Sequence, residues 1–334
     1  RVGAFIGDFG AYRVYFKYSN WDSLESVMGG DAADDWRQAR GGFRIDLGAS
    51  DANQITLQGD DEPFDNSLSA VAPVQQRASV LWLGADAAGD SLQPLFFLQR
   101  ALSDTPRVAV QVTPRQPDTT LVPEELDAAH LIFVADALSP ASAALVHERV
   151  LAGKIVVVVA KNSRVSGTLG VLVGQPGVNL EEARMPTYAM FSDIDFQHPI
   201  FAPFADPRYS DFTKIHIWKY RKVDPAAIPE ARSVVRFDSG DPAILEVPVG
   251  KGKVFLLTSG WQPDDSQLAI SSKFVPLMWS LLELGGGVTM APAQFFVGDR
   301  VPMPPGVEAT MVRVPDGTTV ALPAGGAVFD QTVE

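Results

Sequence analysis

The chain contains no cysteine, only four histidines among its 334 residues, and no long apolar run. Without cysteine it has no thiol nucleophile, disulfide, iron–sulfur cluster or Cys-type zinc site. The longest unbroken apolar run, Ile155–Ala160, is six residues long, whereas a membrane-spanning helix needs about 20. We therefore expect a soluble region. Because the sequence begins at Arg1 without Met and ends within a predicted strand at Gln331–Glu334, we also expect it to be a piece of a longer protein.

Basic residues are scarce as well: 27 Lys and Arg stand against 40 Asp and Glu, for a formal net charge of -13. Nucleic acids and anionic membranes bind basic surfaces, so neither is an expected partner of these residues. Copies of so acidic a chain repel one another, which favours a monomer. The length fits two or three domains.

Residues 1–78 show short alternating runs separated by Gly, Asp and Asn, a pattern typical of a small β-sandwich. We predict a loop at Gly29–Arg40. The acidic turn that contains Asp60, Asp61 and Asp65 is interpreted as a solvated turn, with a calcium site as the alternative because calcium binds carboxylate oxygens. The predicted strands are Tyr12–Tyr18, Gly42–Leu47, Gln54–Leu57 and Leu68–Pro73.

From residue 79 the pattern changes to buried strands that alternate with helices, which predicts a three-layer α/β domain with a mostly parallel sheet. We place this domain at 79–287, with an irregular stretch at about 170–215, and a partial β module at 288–334. The predicted strands are Ser79–Gly84, Val108–Val112, His130–Val134, Lys154–Val159, Ser233–Asp238, Ala243–Val247 and Val254–Leu257, the last two forming a hairpin; the predicted helices are Ser91–Ser103, Pro140–Leu151 and Ser272–Leu284; and the module contains Thr310–Val314 and Thr318–Leu322.

Polar residues follow three of the predicted parallel strands. Asp86, Asp136 and Lys161 come directly after them, and the carboxyl ends of parallel strands are where such sheets bind ligands. These residues are candidates for a small-ligand site, although polar loop residues end every such sheet. The chain has no dinucleotide fingerprint, Walker loop or G-x-S-x-G elbow, and no cofactor is expected.

The histidines are scattered, with no H-x-x-x-H or H-E-x-x-H pair that would predict a zinc hydrolase. His198 lies in the most distinctive cluster, Asp193–Phe204, together with Asp195. A histidine near carboxylates can act as a general base. The interpretation we favour is a turn held by local hydrogen bonds and anchored by apolar side chains.

Several of these segments together resemble the C-terminal region of BatA-type bacterial membrane proteins, which also carry an aerotolerance-regulator segment and a von Willebrand factor A domain. The segments are Val80–Gly84, His198–Phe204, Gly250–Ser259 and Lys273–Leu282. The resemblance covers roughly residues 1–285. It implies a small β-sandwich followed by a class I glutamine amidotransferase-like domain, in a protein anchored in the bacterial inner membrane by segments outside this chain and facing the periplasm.

The chain departs from active amidotransferases at the nucleophile. Their cysteine would fall at Val159 or Ala160, where this chain has neither thiol nor hydroxyl, and Gln197-His198-Pro199-Ile200 matches their late His-Pro-Glu only superficially. Glutaminase chemistry is therefore excluded. We expect a non-catalytic interaction or scaffold region, a pseudoenzyme with unknown protein or envelope partners. The alternative is a cryptic hydrolase or ligand-binding domain that uses Asp86, Asp136, Lys161, Asp195 and His198 in one pocket.

Overall fold

A computed structural model of the chain describes residues 75–288 and Arg300 in full, and outside them only the strand segments whose bounds follow. The chain divides into two units, residues 1–76 with 105–107 and residues 77–104 with 108–334. The division into three domains at residues 78 and 288 stays a prediction. Among the described residues, no helix is both long enough and apolar enough to cross a bilayer.

The elements that the structure describes in the first unit are β-strands. A three-stranded antiparallel sheet has the order β1-β2-β3, and β4 pairs with β5 in a separate antiparallel hairpin. The loop predicted at Gly29–Arg40 is wrong over its last residues, because β3 begins at Trp36, directly opposite Trp21 in the register. Packing of the two sheets into a sandwich remains a prediction. The strands are β1 Val2–Ile6, β2 Gly10–Trp21, β3 Trp36–Leu47, β4 Gln54–Leu57 and β5 Leu68–Val71.

An eight-stranded sheet with helices on both faces forms the centre of the second unit. Its order is β11-β13-β14-β15-β9-β8-β6-β7. The elements are β6 Gln76–Leu83, α1 Pro94–Ala101, β7 Val108–Arg115, α2 Pro123–Ala128, β8 Leu131–Val134, α3 Pro140–Ala152, β9 Ile155–Val159, α4 Ser166–Leu172, β10 Glu181–Glu182, β11 Phe191–Ile194, β12 Arg221–Lys222, β13 Arg232–Phe237, β14 Pro242–Val249, β15 Gly252–Leu257 and α5 Phe274–Leu284.

The α/β fold class is confirmed, but the sheet is mixed rather than mostly parallel. β6, β8, β9 and β15 are parallel neighbours, whereas β11, β13, β14 and β15 pair antiparallel. The predicted hairpin is confirmed as β14 and β15, which are joined by a two-residue turn at Gly250 and Lys251. So short a connection joins only antiparallel strands, so β14 runs antiparallel to β15 and to the parallel strands beyond it.

Alternating side chains of the central strands enter two separate cores. On β6, Trp82 packs on the face covered by α1 and α5, whereas Leu81 and Leu83 pack on the face covered by α2, α3 and α4. All three side chains are buried. A strand that is buried on both faces is continuously apolar, which is why this part of the sheet was visible in the sequence.

Among the described residues that follow α5, there are four short strands. β16 pairs antiparallel with β19, and β17 pairs antiparallel with β18. The predicted strands Thr310–Val314 and Thr318–Leu322 are confirmed as β17 and β18. The bounds are β16 Val301–Pro302, β17 Met311–Arg313, β18 Thr319–Ala321 and β19 Val328–Phe329.

Candidate functional site at the carboxyl edge of the parallel strands

Three predicted side chains meet where the parallel strands end. Asp86 follows β6, Asp136 follows β8 and Lys161 follows β9. The Lys161 Nζ lies 2.5 Å from Asp86 Oδ1 and 2.7 Å from Asp136 Oδ2. We call these three residues the strand-end triad. Their convergence follows from topology, because neighbouring parallel strands deliver the residues after them to the same edge of the sheet.

The backbone around the triad is closely packed. A Cβ atom at Gly84 would lie 2.7 Å from Trp82 Nε1 and 3.2 Å from Ala135 Cβ, so only glycine lets the chain turn here without displacing its neighbours. The Ala85 N–H donates to Asp136 Oδ2 at 2.9 Å. This hydrogen bond ties the turn after β6 to the residue that follows β8.

The triad is shielded from water. The side chains of Asp86, Lys161 and Asp136 are 3%, 14% and 18% exposed. Burial raises the pKa of Asp86, while the Lys161 ammonium opposes that rise. Asp86 Oδ2 and the neighbouring Trp82 Nε1 are both buried, and neither has a hydrogen bond of good geometry, although the Trp82 indole is close enough to favour the charged form of Asp86. The one ammonium therefore serves two carboxyl groups, and one carboxyl oxygen is unsatisfied.

The turn after β9, where the amidotransferase resemblance places a nucleophile, is closed. Ala160 is fully buried, and its N–H donates to Leu257 O. Its carbonyl accepts from Arg221 Nη1 at 3.0 Å. No non-glycine residue in the described part of the chain has a positive φ, so this turn lacks the strained backbone that exposes a nucleophile in an elbow.

A second buried ion pair lies beside this turn, and the sequence did not reveal it. Arg221 donates through Nη1 to Asp265 Oδ2 as well as to Ala160 O. Asp265 also accepts from Gly260 N at 3.2 Å. Burial raises the pKa of Asp265, and Arg221 opposes the rise. Arg221 lies in the short strand β12, within a stretch whose pattern predicted no element, so its position beside β9 was hidden.

His198 lies away from the strand-end triad. Its Nε2 is 2.7 Å from Glu246 Oε2, and its Nδ1 accepts from Ile200 N at 3.3 Å. An Nδ1 that accepts must be unprotonated, so Nε2 carries the proton and donates to Glu246. Both ring nitrogens are therefore occupied, which leaves no free base. The pKa of Glu246 falls to about 2 because of His198 and then Lys253.

Asp195 stabilises the turn that leads to His198. Its Oδ2 pairs with Arg232, and its Oδ1 accepts from Gln197 N at 3.0 Å. The His198 N–H donates to Asp195 O at 3.1 Å. Asp195 and His198 thus fix one turn, and they contribute nothing to the strand-end triad.

The predicted acidic turn with Asp60, Asp61 and Asp65 lies outside the described residues. Within the part of the chain that the structure describes, no group of three or more His, Cys, Asp or Glu side chains is arranged to hold a metal ion.

No family model and no curated protein matches the chain. Solved structures resemble it remotely. A cytoplasmic protein of Salmonella typhimurium LT2, STM1381, is 14% identical over 61% of this chain and 98% of its own, with a TM-score of 0.46. A ThuA-like protein of Parabacteroides merdae is 14% identical over 68% of this chain and 94% of its own, with a TM-score of 0.41. Likenesses this distant assign neither a function nor a site residue.

Proposed function

We propose that this chain is a non-catalytic interaction or scaffold region with an amidotransferase-like domain at its centre. The observation that carries this proposal is the closed turn after β9. The resemblance puts the nucleophile position at Val159 or Ala160, both of which are fully buried, and the next residue, Lys161, is bound by Asp86 and Asp136. Neither Ala160 nor Lys161 therefore has a side chain free to attack a substrate.

The state of the candidate groups supports the same proposal. An enzyme of this kind needs a nucleophile or base with an unoccupied atom that faces the substrate. The Lys161 amine bridges two carboxyl groups, and both His198 nitrogens are engaged. The Lys161 amine and both His198 nitrogens are therefore already engaged within the protein, and none of them is free to act on a substrate.

The cellular setting belongs to the same proposal. The BatA-type resemblance implies a bacterial parent protein that is anchored in the inner membrane by segments outside this chain. On that basis we place the chain in the periplasm, where it holds protein or envelope partners. Its net charge of -13 favours partners with basic surfaces over nucleic acid or anionic lipid.

A small-ligand site at the strand-end triad is the second candidate function. It is favoured by the convergence of Asp86, Asp136 and Lys161 at the edge where α/β sheets bind ligands, and by the unsatisfied buried Asp86 Oδ2. A ligand at this place would have to displace one arm of the ion pair. A hydrolase at this place would lack His198 as its general base, because His198 pairs with Glu246 instead.

A comparison of three proteins separates the two functions: the unchanged chain, Lys161→Ala, and Lys251→Ala as an exposed control. Each is incubated with ester, amide and glutamine substrates and is screened against small metabolites by thermal shift. If the chain is a scaffold, we expect no substrate turnover above the buffer rate, and no change in melting temperature with a metabolite that depends on Lys161. Turnover or a shift that disappears in Lys161→Ala alone would overturn it.

The interaction itself is tested by covalent crosslinking of the tagged full-length parent protein in cells. A scaffold predicts the same crosslinked envelope proteins for the unchanged protein, Lys161→Ala and Lys251→Ala, because the contact surface does not involve the triad. If no protein crosslinks specifically in any of the three, the scaffold function is wrong.

A further inference from the structure

The strand-end triad brings one amine and two carboxyl groups together at a buried site. Lys161 Nζ lies 2.5 Å from Asp86 Oδ1, and Asp136 Oδ2 is 2.7 Å from the same nitrogen. Each residue is held at the end of a paired parallel strand. The two groups that can condense are therefore held together by the fold, with a proton-transfer group beside them.

An ionised Asp86 is poorly accommodated at this site. Its side chain is 3% exposed, and its Oδ2 accepts no hydrogen bond of good geometry. A buried carboxylate oxygen without a hydrogen bond is costly, whereas a neutral acyl oxygen is much less so. Burial accordingly raises the pKa of Asp86. The surroundings favour a neutral acyl group over a carboxylate.

We propose that Lys161 and Asp86 are joined by an intramolecular amide bond, formed spontaneously with the help of Asp136. In this step the Lys161 ammonium first passes a proton to Asp86, which gives a neutral amine and a neutral carboxylic acid. The Nζ then attacks Cγ of Asp86, the Nζ–Cγ bond forms and the Cγ–Oδ1 bond breaks. Asp136 accepts a proton from the attacking nitrogen and delivers it to the departing oxygen, which leaves as water. Nothing is oxidised or reduced, and no co-reactant is needed.

Proximity and exclusion of water both favour this condensation. Well-oriented intramolecular groups react with effective molarities of about 10⁵ M or more. In open water the amide would be subject to hydrolysis, but the low exposure of all three side chains keeps water away. The strand ends thus supply both the proximity and the exclusion of water that a free lysine and a free aspartate lack.

The product also satisfies the polar atoms better than the ion pair does. The new amide N–H replaces the ammonium as donor to Asp136 Oδ2, which keeps its bond from Ala85 N. The remaining acyl oxygen is neutral, and the Trp82 indole, which already acts on Asp86, lies beside it as a donor.

A second lysine–carboxylate pair provides an internal comparison. Lys253 Nζ lies 2.9 Å from Glu246 Oε1, but the lysine side chain is 39% exposed. The pKa of Glu246 falls to about 2 because His198 and Lys253 stabilise its charged form. Lys253 is partly exposed and Glu246 is held in its charged form, so this pair is expected to remain an ion pair.

Intact-mass spectrometry of the denatured full chain tests the amide bond. The unchanged chain is expected to be lighter than its sequence mass by one water, and so is the control Lys253→Arg. Lys161→Arg and Asp86→Ala are expected to have their full sequence masses. Fragmentation after digestion should give one branched peptide that joins positions 86 and 161.

A full sequence mass for the unchanged chain overturns the proposal and leaves a plain ion pair. A water loss that persists in Lys161→Arg overturns it too, because the bond must then lie elsewhere. In Asp136→Ala the amide bond between Lys161 and Asp86 should form slowly or not at all. If it forms as completely as in the unchanged chain, Asp136 does not transfer the proton. None of these masses depends on whether the chain is a scaffold.

Discussion

His198 Nε2 lies 2.7 Å from Glu246 Oε2, and the two side chains are only 2% and 11% exposed. The pair joins the turn before the 3-10 segment Pro199–Phe204 to the central part of β14. Lys253 on β15 contacts the other oxygen of Glu246 at 2.9 Å. A carboxylate held this way is part of the folded structure rather than a catalytic group.

The pKa of Glu246 predicts how stability depends on pH. Its ordinary value is 4.5, and the fold lowers it to about 2, chiefly through His198. Between these values the unfolded chain binds a proton that the folded chain does not, so stability falls as the pH drops from 4.5 to about 2. Above 4.5 the full contribution, about 3 kcal/mol, is present. Urea unfolding across this range measures it.

Glu246→Gln removes the titrating group, so its unfolding free energy should change less over the same pH range. Glu148→Gln is the matched control, because the Glu148 side chain is 66% exposed, and its pH dependence should equal that of the unchanged chain. Equal slopes for Glu246→Gln and Glu148→Gln would show that Glu246 has no lowered pKa.

The Arg221–Asp265 pair should be strongly coupled. Both side chains are almost fully buried, at 4% and 2% exposed. Asp265→Ala leaves a buried guanidinium without its main carboxylate, and Arg221→Met leaves a buried carboxylate, so each should cost about 3–5 kcal/mol. The double variant should cost much less than the sum, because an unpaired charge remains only in the singles. Additive costs in urea unfolding would mean that the pair is not formed.

Much of the central sheet could be predicted from the sequence, because its strands are buried on both faces. Ile155–Val159 and Leu131–Val134 are continuous apolar runs, a pattern that arises only where both faces are covered. The short helices α2 and α4 were missed. α2 has six residues and α4 has seven, and so few positions show no clear helical period.

The candidate site was only half predictable. Asp86, Asp136 and Lys161 were found because the topology of parallel strands fixes where their ends meet. The partners Arg221, Glu246 and Asp265 were not found, because each reaches its contact from 44 or more residues away in the chain. No local pattern encodes a pairing at that distance. His198 was noticed, but its role depends on Glu246 and was therefore invisible in the sequence.

Replacement of glycine by alanine should destabilise the fold more at Gly252 than at Gly240. A Cβ at Gly252 would lie 2.2 Å from Lys154 O and 2.4 Å from Val150 O, both backbone atoms that cannot move aside. Gly252→Ala should therefore cost about 2–4 kcal/mol in unfolding free energy. Gly240 has φ +85 and open space around it, so Gly240→Ala should cost only about 1–2 kcal/mol, from backbone strain. Similar costs would contradict the close approach at Gly252.

The start of α3 offers a test of local structure that is independent of the buried charges. Ser139 is its N-cap, and its Oγ accepts from Ser142 N at 3.2 Å. Ser139→Ala removes this acceptor and should cost about 1 kcal/mol, whereas Ser139→Asp supplies another acceptor and should retain stability. Circular dichroism during urea unfolding compares the three proteins. If Ser139→Asp is as unstable as Ser139→Ala, the side chain does not act as a cap, and α3 is held by the packing of Val146 and Val150 alone.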